Sequence, residues 1–239
     1  MISIIVPIYN ESSDCIIHLL EYLKNNTFGH VGEVIIVDGD GSSNGIQAKL
    51  AQYPNVQYVT AKKGRAIQMN YGAQIAKGNI LYFLHADSFP PKHFDHFIYQ
   101  ALTHTAKVKA GCFMLLFDSG HWWLKLMGWA TAINHSCCRG GDQSLFVDRK
   151  LFFALNGYDE AYTVYEDNEF IQRLYKNTAF KVLRKRITTS ARHYQKIGVW
   201  RLQWLHLGVY MKRWSGANAS DLNTFYKEQI EHLKVRSRI

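Results

Sequence analysis

Apolar residues follow two rhythms along this chain. Continuous runs at Ile2-Ser3-Ile4-Ile5-Val6-Pro7, Val34-Ile35-Ile36-Val37 and Leu81-Tyr82-Phe83-Leu84 predict strands buried on both faces. A weaker run, Val56-Gln57-Tyr58-Val59, predicts another strand between the last two. Elsewhere the apolar positions space out. Ile16, Leu19, Leu20 and Leu23 keep the period of a helix that ends near Asn26, and Asn10-Glu11-Ser12-Ser13 supplies its capping residues. A further helix runs from Gly64-Arg65-Ala66 through Met69, Ala73 and Ile75 to Lys77-Gly78, where the glycine stops it. Alternating strand and helix up to Asp87 predicts an α/β fold, with a mostly parallel central sheet and helices on both faces.

Beyond Asp87 the rhythm is mixed. Strands are expected at Gly111-Cys112-Phe113-Met114-Leu115-Leu116-Phe117, Ser144-Leu145-Phe146-Val147 and Phe180-Lys181-Val182-Leu183. An amphipathic helix is expected from His121 to about His135; its Trp122, Trp123 and Trp129 read as core, with a ligand-stacking surface as the alternative. Asp148 caps a short helix that stops at Asn156-Gly157-Tyr158, and a polar helix starts near Glu166-Asp167. Between Val199 and Trp214, tryptophan and leucine mix with basic residues, as in helices that lie on an anionic membrane. Packing on the domain or on a second subunit, as in a homodimer, fits the same pattern. No linker interrupts the chain, so residues 1–195 are expected to form one domain and 196–239 a basic, aromatic-rich helical extension packed on it.

Composition narrows the class. With 239 residues, 47% hydrophobic and 20% charged, the chain has material for a full core and is too apolar for disorder. Cys15, Cys112, Cys137 and Cys138 form no CxxC pair, which argues against a structural zinc site or a disulfide scaffold and for a reducing, cytoplasmic setting. The N-terminal run has no basic flank and reads as a strand, not a signal peptide. No apolar stretch is long enough to span a bilayer, so a soluble protein, or one peripheral at the inner face of a membrane, is expected. The net charge of +9 gathers after Phe170, where only Asp221, Glu228 and Glu231 oppose the basic residues. Such an end suits nucleic acid, anionic lipid or a phosphorylated substrate, or simply keeps the chain solvated. Nucleic acid ranks last, because no aromatic-basic platform accompanies the charge.

Polar residues directly follow the strands: Asn10-Glu11 after the first, Asp38 after the second and His85-Ala86-Asp87 after the fourth. Parallel strands deliver such residues to the sheet edge where ligands bind. Asp87 is placed to hold a metal ion and, through it, phosphate oxygens. Taken singly, each residue reads as a cap or turn former. Arg65 is the oddity, because a cation at a helix start opposes the macrodipole and calls for an anion, which a bound phosphate would supply. GxxxxGK[ST], GxGxxG after a strand and GxSxG are all absent, which excludes the commonest nucleotide and hydrolase motifs.

Together, Ile-Ile-Val-Pro-Ile-Tyr-Asn-Glu (residues 4–11), Val37-Asp38-Gly39, Gly64-Arg65-Ala66-x-Gln68-Met69-Asn70, Leu84-His85-Ala86-Asp87, Gly141-Asp142-Gln143 and Glu166-Asp167 resemble a family 2 glycosyltransferase of the GT-A fold. The Gly-Arg-Ala-x-Gln-Met-Asn and His-Ala-Asp versions are similar to a bacterial subgroup, the radical-SAM/selenodomain-associated transferase 2 proteins. The resemblance spans roughly residues 2–195. It implies inverting transfer of a sugar from a nucleotide-diphosphate donor, UDP-sugar favoured, to an unidentified hydroxyl acceptor, lipid-linked or free.

The resemblance also implies roles. Pro7, Asn10, Glu11 and Ala86 would border the nucleotide, Asp38 would read the base, and Arg65 would contact phosphate or base. Asp87 would coordinate Mn²⁺ or Mg²⁺ on the diphosphate, with His193 as a further ligand. Asp167 would be the catalytic base, with Glu166 as the alternative, and Gly141, Asp142 and Gln143 would lie near the donor sugar or acceptor. His85 stands where the family usually has the first Asp of Asp-x-Asp. An imidazole there shifts metal preference toward Mn²⁺, or bonds the ribose, or packs. Two rivals share the fold: a sugar nucleotidyltransferase, whose Gly-rich basic signature is missing after the first strand, and a degenerate GT-A domain that binds nucleotide sugar or lipid-linked sugar without turnover.

Overall fold

The computed structural model describes residues 1–39, 41 and 46–236, with side chains through Glu231. Asp40, Ser42 and Ser43 after the second strand, the side chains of the tail's Lys234 and Arg236, and Arg238 lie outside the described residues.

The first half follows the predicted alternation: β1 (Ile2–Ile8), α1 (Ser13–Asn26), β2 (Val31–Asp38), α2 (Ile46–Leu50), β3 (Val56–Thr60), α3 (Arg65–Ile75) and β4 (Ile80–Phe83). Ser12 caps α1 by accepting the Cys15 N–H at 3.2 Å. β1 pairs in parallel with β2 and β4, and β2 with β3. Alternate β1 residues enter opposite layers: Ile4 and Val6 pack with Leu19 and Leu23 of α1, and Ile5 packs with Met69 and Ala73 of α3. Both faces are therefore dry, which is why these strands carry no polar alternation. At Gly72 an added Cβ would lie 2.6 Å from Ile5 Cγ2, so α3 rests directly on β1.

The second half adds β5 (Ser88–Phe89), α4 (Phe94–Thr103), β6 (Val108–Phe117), α5 (Trp122–Ala130), β7 (Leu145–Asp148), α6 (Arg149–Ala154), α7 (Glu166–Asn177), β8 (Ala179–Thr189) and three C-terminal helices, α8 (Arg192–Ile197), α9 (Val199–Trp214) and α10 (Ala219–Arg236). The strand order is β3-β2-β1-β4-β7-β6-β8-β5. β7 is antiparallel to β4 and β6, and β5 is antiparallel to β8. Only residues 84–87 connect β4 to β5, although three strands stand between them. In a flat sheet that gap is about 19 Å, whereas the connection would span about 17 Å even if fully extended. It also contains a turn, from the Ser88 N–H to the His85 carbonyl at 3.1 Å. The sheet curls until its two halves meet at this loop.

Four expectations change. β4 ends at Phe83, so Asp87 lies in the β4–β5 loop, just before Ser88, and not directly at the end of an apolar strand. β8 extends to Thr189, because parallel pairing with β6 carries it through the basic stretch Arg184, Lys185, Arg186. α5 ends at Ala130: the Thr131 hydroxyl donates to the Gly128 carbonyl at 2.6 Å and accepts the Leu115 N–H at 2.9 Å, fixing the chain to β6. Trp122 and Trp129 are not core, being 61% and 64% exposed, while Trp123 packs against the core. Leu202 and Leu205 of α9 join the layer that holds α1, so the C-terminal helices share the core of the sheet.

Candidate active site

At the carboxyl ends of β1 and β4 the curl leaves a cleft of about 1240 Å³. Pro7 reaches it from β1, Glu11 from the turn after it, Arg65 from the start of α3, and His85, Ala86 and Asp87 from the β4–β5 loop. The opposite wall carries the one-turn helix Gly141–Gln143, Glu166 and Asp167 at the start of α7, and His193 of α8.

An acid pair and one arginine form its centre. Arg65 Nη1 lies 3.2 Å from Glu166 Oε1 and 3.4 Å from Asp167 Oδ2. The anion that this helix-start cation calls for is thus supplied by the chain itself. Both carboxylates are nearly buried, with side-chain exposures of 3% and 11%, while Arg65 is half exposed to the cleft. Burial, and then the Glu166 charge, push the Asp167 carboxyl well above the usual range, against the pull of Arg65. Gly141 makes this arrangement fit: a Cβ there would sit 2.0 Å from Asp167 Oδ2.

The same short helix links the acid pair to the β4–β5 loop. Asp142 Oδ1 lies 3.9 Å from His85 Nδ1. Burial and the Arg65 charge take the His85 pKa down to about 3, so its imidazole is neutral and free to act as a ligand or hydrogen-bonding group. Burial raises the carboxyls of Asp87 and Asp142, and the Asp142 charge adds to the rise at Asp87. Arg192 pulls Asp87 back: its Nη2 lies 3.5 Å from Asp87 Oδ2 and 2.9 Å from Glu11 Oε1.

Not every expected residue reaches the cleft wall. Asn10 is exposed beside it in a left-handed turn with φ of 53°. Asp38 is fully buried at the end of β2, accepting the Tyr58 hydroxyl at 2.6 Å. Gln143 lines the cleft, but its amide is committed, accepting from Arg139 Nη1 at 2.6 Å and donating to the Cys138 carbonyl at 2.8 Å. Two arginines were missed. Arg192 looked like one more basic residue of the tail, yet it ties the β1 and β4 loops together. Arg139, only 3% exposed, donates to the Thr131 carbonyl at 2.8 Å and holds the Gly140-Gly141 turn in place. The glycine pair just after Arg139 was the available signal.

Among the described residues no three His, Cys, Asp or Glu side chains converge as a complete metal site. The donors that are present in the loop, the Asp87 carboxylate and a neutral His85, fit a divalent ion that takes its remaining ligands from phosphate oxygens. Burial and the Asp142 charge make the bare Asp87 carboxylate costly, which a cation at Asp87 would relieve.

A curled, mostly parallel sheet with this cleft at its strand ends defines the GT-A glycosyltransferase class. The chain belongs to glycosyl transferase family 2, whose sequence profile matches residues 3–149. Two solved structures share the fold. One is a mannosyltransferase from Pyrobaculum calidifontis in complex with GDP-Man and Mn²⁺, at TM-score 0.68 and 16% identity over 97% of this chain and 69% of that one. The other is residues 1–349 of S. aureus TarS, at TM-score 0.62 and 15% identity over 96% of this chain and 70% of that one. No curated protein is a significant sequence match.

Proposed function

We propose that this glycosyltransferase moves a sugar with inversion from a nucleoside-diphosphate donor to a hydroxyl acceptor, aided by a divalent metal. The observation that supports this reading is the buried Asp167 carboxylate, raised toward neutrality and held by Arg65 in the same cleft as Asp87. A base with a pKa near the working pH takes a proton most effectively.

In the proposed step the acceptor oxygen attacks the anomeric carbon while its proton passes to Asp167. The bond from that carbon to the β-phosphate oxygen breaks, and the nucleoside diphosphate leaves from the opposite face, so configuration inverts. Glu166 and Arg65 keep Asp167 aimed. Asp87, with His85 beside it, would hold Mn²⁺ or Mg²⁺, which supplies charge neutralisation for the departing diphosphate. Pro7, Glu11 and Ala86 border the nucleotide, with Asp38 behind the base at the β2 end. Asp142 takes a sugar hydroxyl. The mannosyltransferase bound to GDP-Man and Mn²⁺ lends the metal and the donor class support from the same fold.

The test is a thermal-shift screen of UDP-, GDP- and dTDP-sugars with and without Mn²⁺, followed by nucleotide release with Asp167→Asn as control. A shift for one base that deepens with Mn²⁺, and release abolished in the variant, is the expected result. Stabilisation without release toward any acceptor or water would favour the non-transferring sugar-nucleotide binder, the reading that His85 at the metal loop keeps alive.

A further inference from the structure

Most large apolar side chains exposed among the described residues lie on two neighbouring helices. On α5, Trp122, Leu126 and Trp129 are 61%, 43% and 64% exposed, and Ile133 just beyond is 53% exposed. On α9, Trp200, Trp204, Leu207, Met211 and Trp214 range from 40% to 69%. At 100° per residue the α9 set falls within an arc of about 80°, and the α5 set repeats its i, i+4, i+7 spacing. Each helix therefore has one continuous apolar stripe facing solvent. The stripes join: the Trp122 and Trp200 ring centroids are 6.0 Å apart. A patch of this kind on a monomer marks an interaction surface.

The other faces of these helices are already used. Leu124 of α5 and Leu202, Leu205 and Val209 of α9 are buried. Met127 and Ala130 of α5, and Gln203, His206 and Tyr210 of α9, line the donor cleft. The apolar patch and the cleft wall are thus two sides of the same pair of helices.

Charge decides what covers the patch. Neither α5 nor α9 contains an Asp or Glu, while Lys125 and Arg201 are exposed on them and Lys196 beside them. A symmetric dimer through this face would set a basic surface against its own copy. Tryptophans flanked by lysine and arginine suit the headgroup boundary of an anionic bilayer, and no described helix is long and apolar enough to cross one. We propose that α5 and α9 form a monotopic docking surface that seats the protein on an anionic membrane, one helix layer from the cleft, with the acceptor hydroxyl carried by a lipid. The acceptor part rests on the transferase reading; the docking does not.

The experiment is flotation of the full chain with phosphatidylcholine vesicles, with and without about 30 mol % phosphatidylglycerol, at low and high salt. The expected result is at least about tenfold stronger partition onto the anionic vesicles, weakened by salt, with quenching of native tryptophan fluorescence by brominated lipid. Trp204→Gln combined with Met211→Gln should lose about tenfold in partition while keeping the wild-type melting temperature and nucleotide-sugar shift. Wild-type protein that stays with the soluble fraction on both vesicle types overturns the docking, and a dimer that shields these tryptophans and does not float assigns the patch to a second copy. Flotation without any nucleotide-sugar shift would reject the transferase reading instead, because the shift is measured without vesicles.

Discussion

Gly141→Ala isolates what the acid pair contributes. The added Cβ would lie 2.0 Å from Asp167 Oδ2 and 2.8 Å from its Cγ. Restoring a contact of about 3.3 Å asks the carboxylate or the turn to move by about 1.3 Å. Asp167 has little room to retreat: its side chain is 11% exposed and already 3.4 Å from Arg65. A displacement of about 1 Å in a group that must meet a reacting proton costs about a hundredfold in rate, or about 2.7 kcal/mol of barrier. Gly140→Ala is the matched control, because a Cβ there meets nothing within 4 Å and its φ of −164° is open to alanine. Nucleotide release under single-turnover conditions, with donor affinity from thermal shift, separates chemistry from binding. Gly141→Ala should lose rate and keep donor affinity, and Gly140→Ala should keep both. Wild-type rates in Gly141→Ala would refute the placement of Asp167 as the base.

Further outcomes follow from the same geometry. Asp167→Asn should cut transfer by about 10²- to 10⁴-fold, the range of a lost general base, with donor binding intact in calorimetry. Because burial and Glu166 raise the Asp167 pKa, transfer should climb with pH through that raised value, and this limb should disappear in the variant's pH–rate profile. The stability sign is opposite: the folded state holds the Asp167 proton to higher pH than the unfolded chain does, so this group costs stability as pH rises above about 4. Asp167→Asn should gain melting temperature over wild type as the buffer is moved from acid to neutral. Asp87→Ala should abolish the Mn²⁺ increment in the donor thermal shift. Far from the cleft, fully buried Asp95 accepts the N–H groups of Phe28, Gly29 and His30 at 2.8, 2.9 and 2.8 Å, so Asp95→Ala should cost about 3 kcal/mol in urea unfolding by leaving them unpaired.

The first half of the fold is legible from residues alone because each of its signals is local. Strands dry on both faces write themselves as unbroken apolar runs, and Ser12 marks the start of α1, whereas α3 stops at Ile75, with Ala76 as its cap, before the Gly78 expected to end it. The second half is decided by distant pairings. β8 runs through Arg184, Lys185 and Arg186 only because β6 lies alongside, and β5 is two residues whose partner stands a hundred positions later. The site shows the same division. Residues just after strands could be found by position, whereas the clamp from Arg192 to Glu11 and Asp87 joins the two ends of the sequence and leaves no periodic trace. Arg65 shows how a correct suspicion takes an unexpected form: its misplaced charge did signal an anion, and the anion is a pair of carboxylates a hundred residues away. The tryptophans of α5 misled because aromatic rings at helical spacing look alike whether they face a core or solvent.

The two-residue strand β5 also orders events in time. His85, Ala86 and Asp87 hang between β4 and β5, and β5 is held in the sheet by Thr188 and Thr189. A nascent chain can complete β1 to β4 while it is still on the ribosome, and α1 then already touches the loop and β5 through Cys15 and Tyr22, yet β5 has no strand to pair with until β8 emerges. The scaffold is therefore written early in the chain, while the acid pair of α7 and the strand that seals the edge beside the loop are written last.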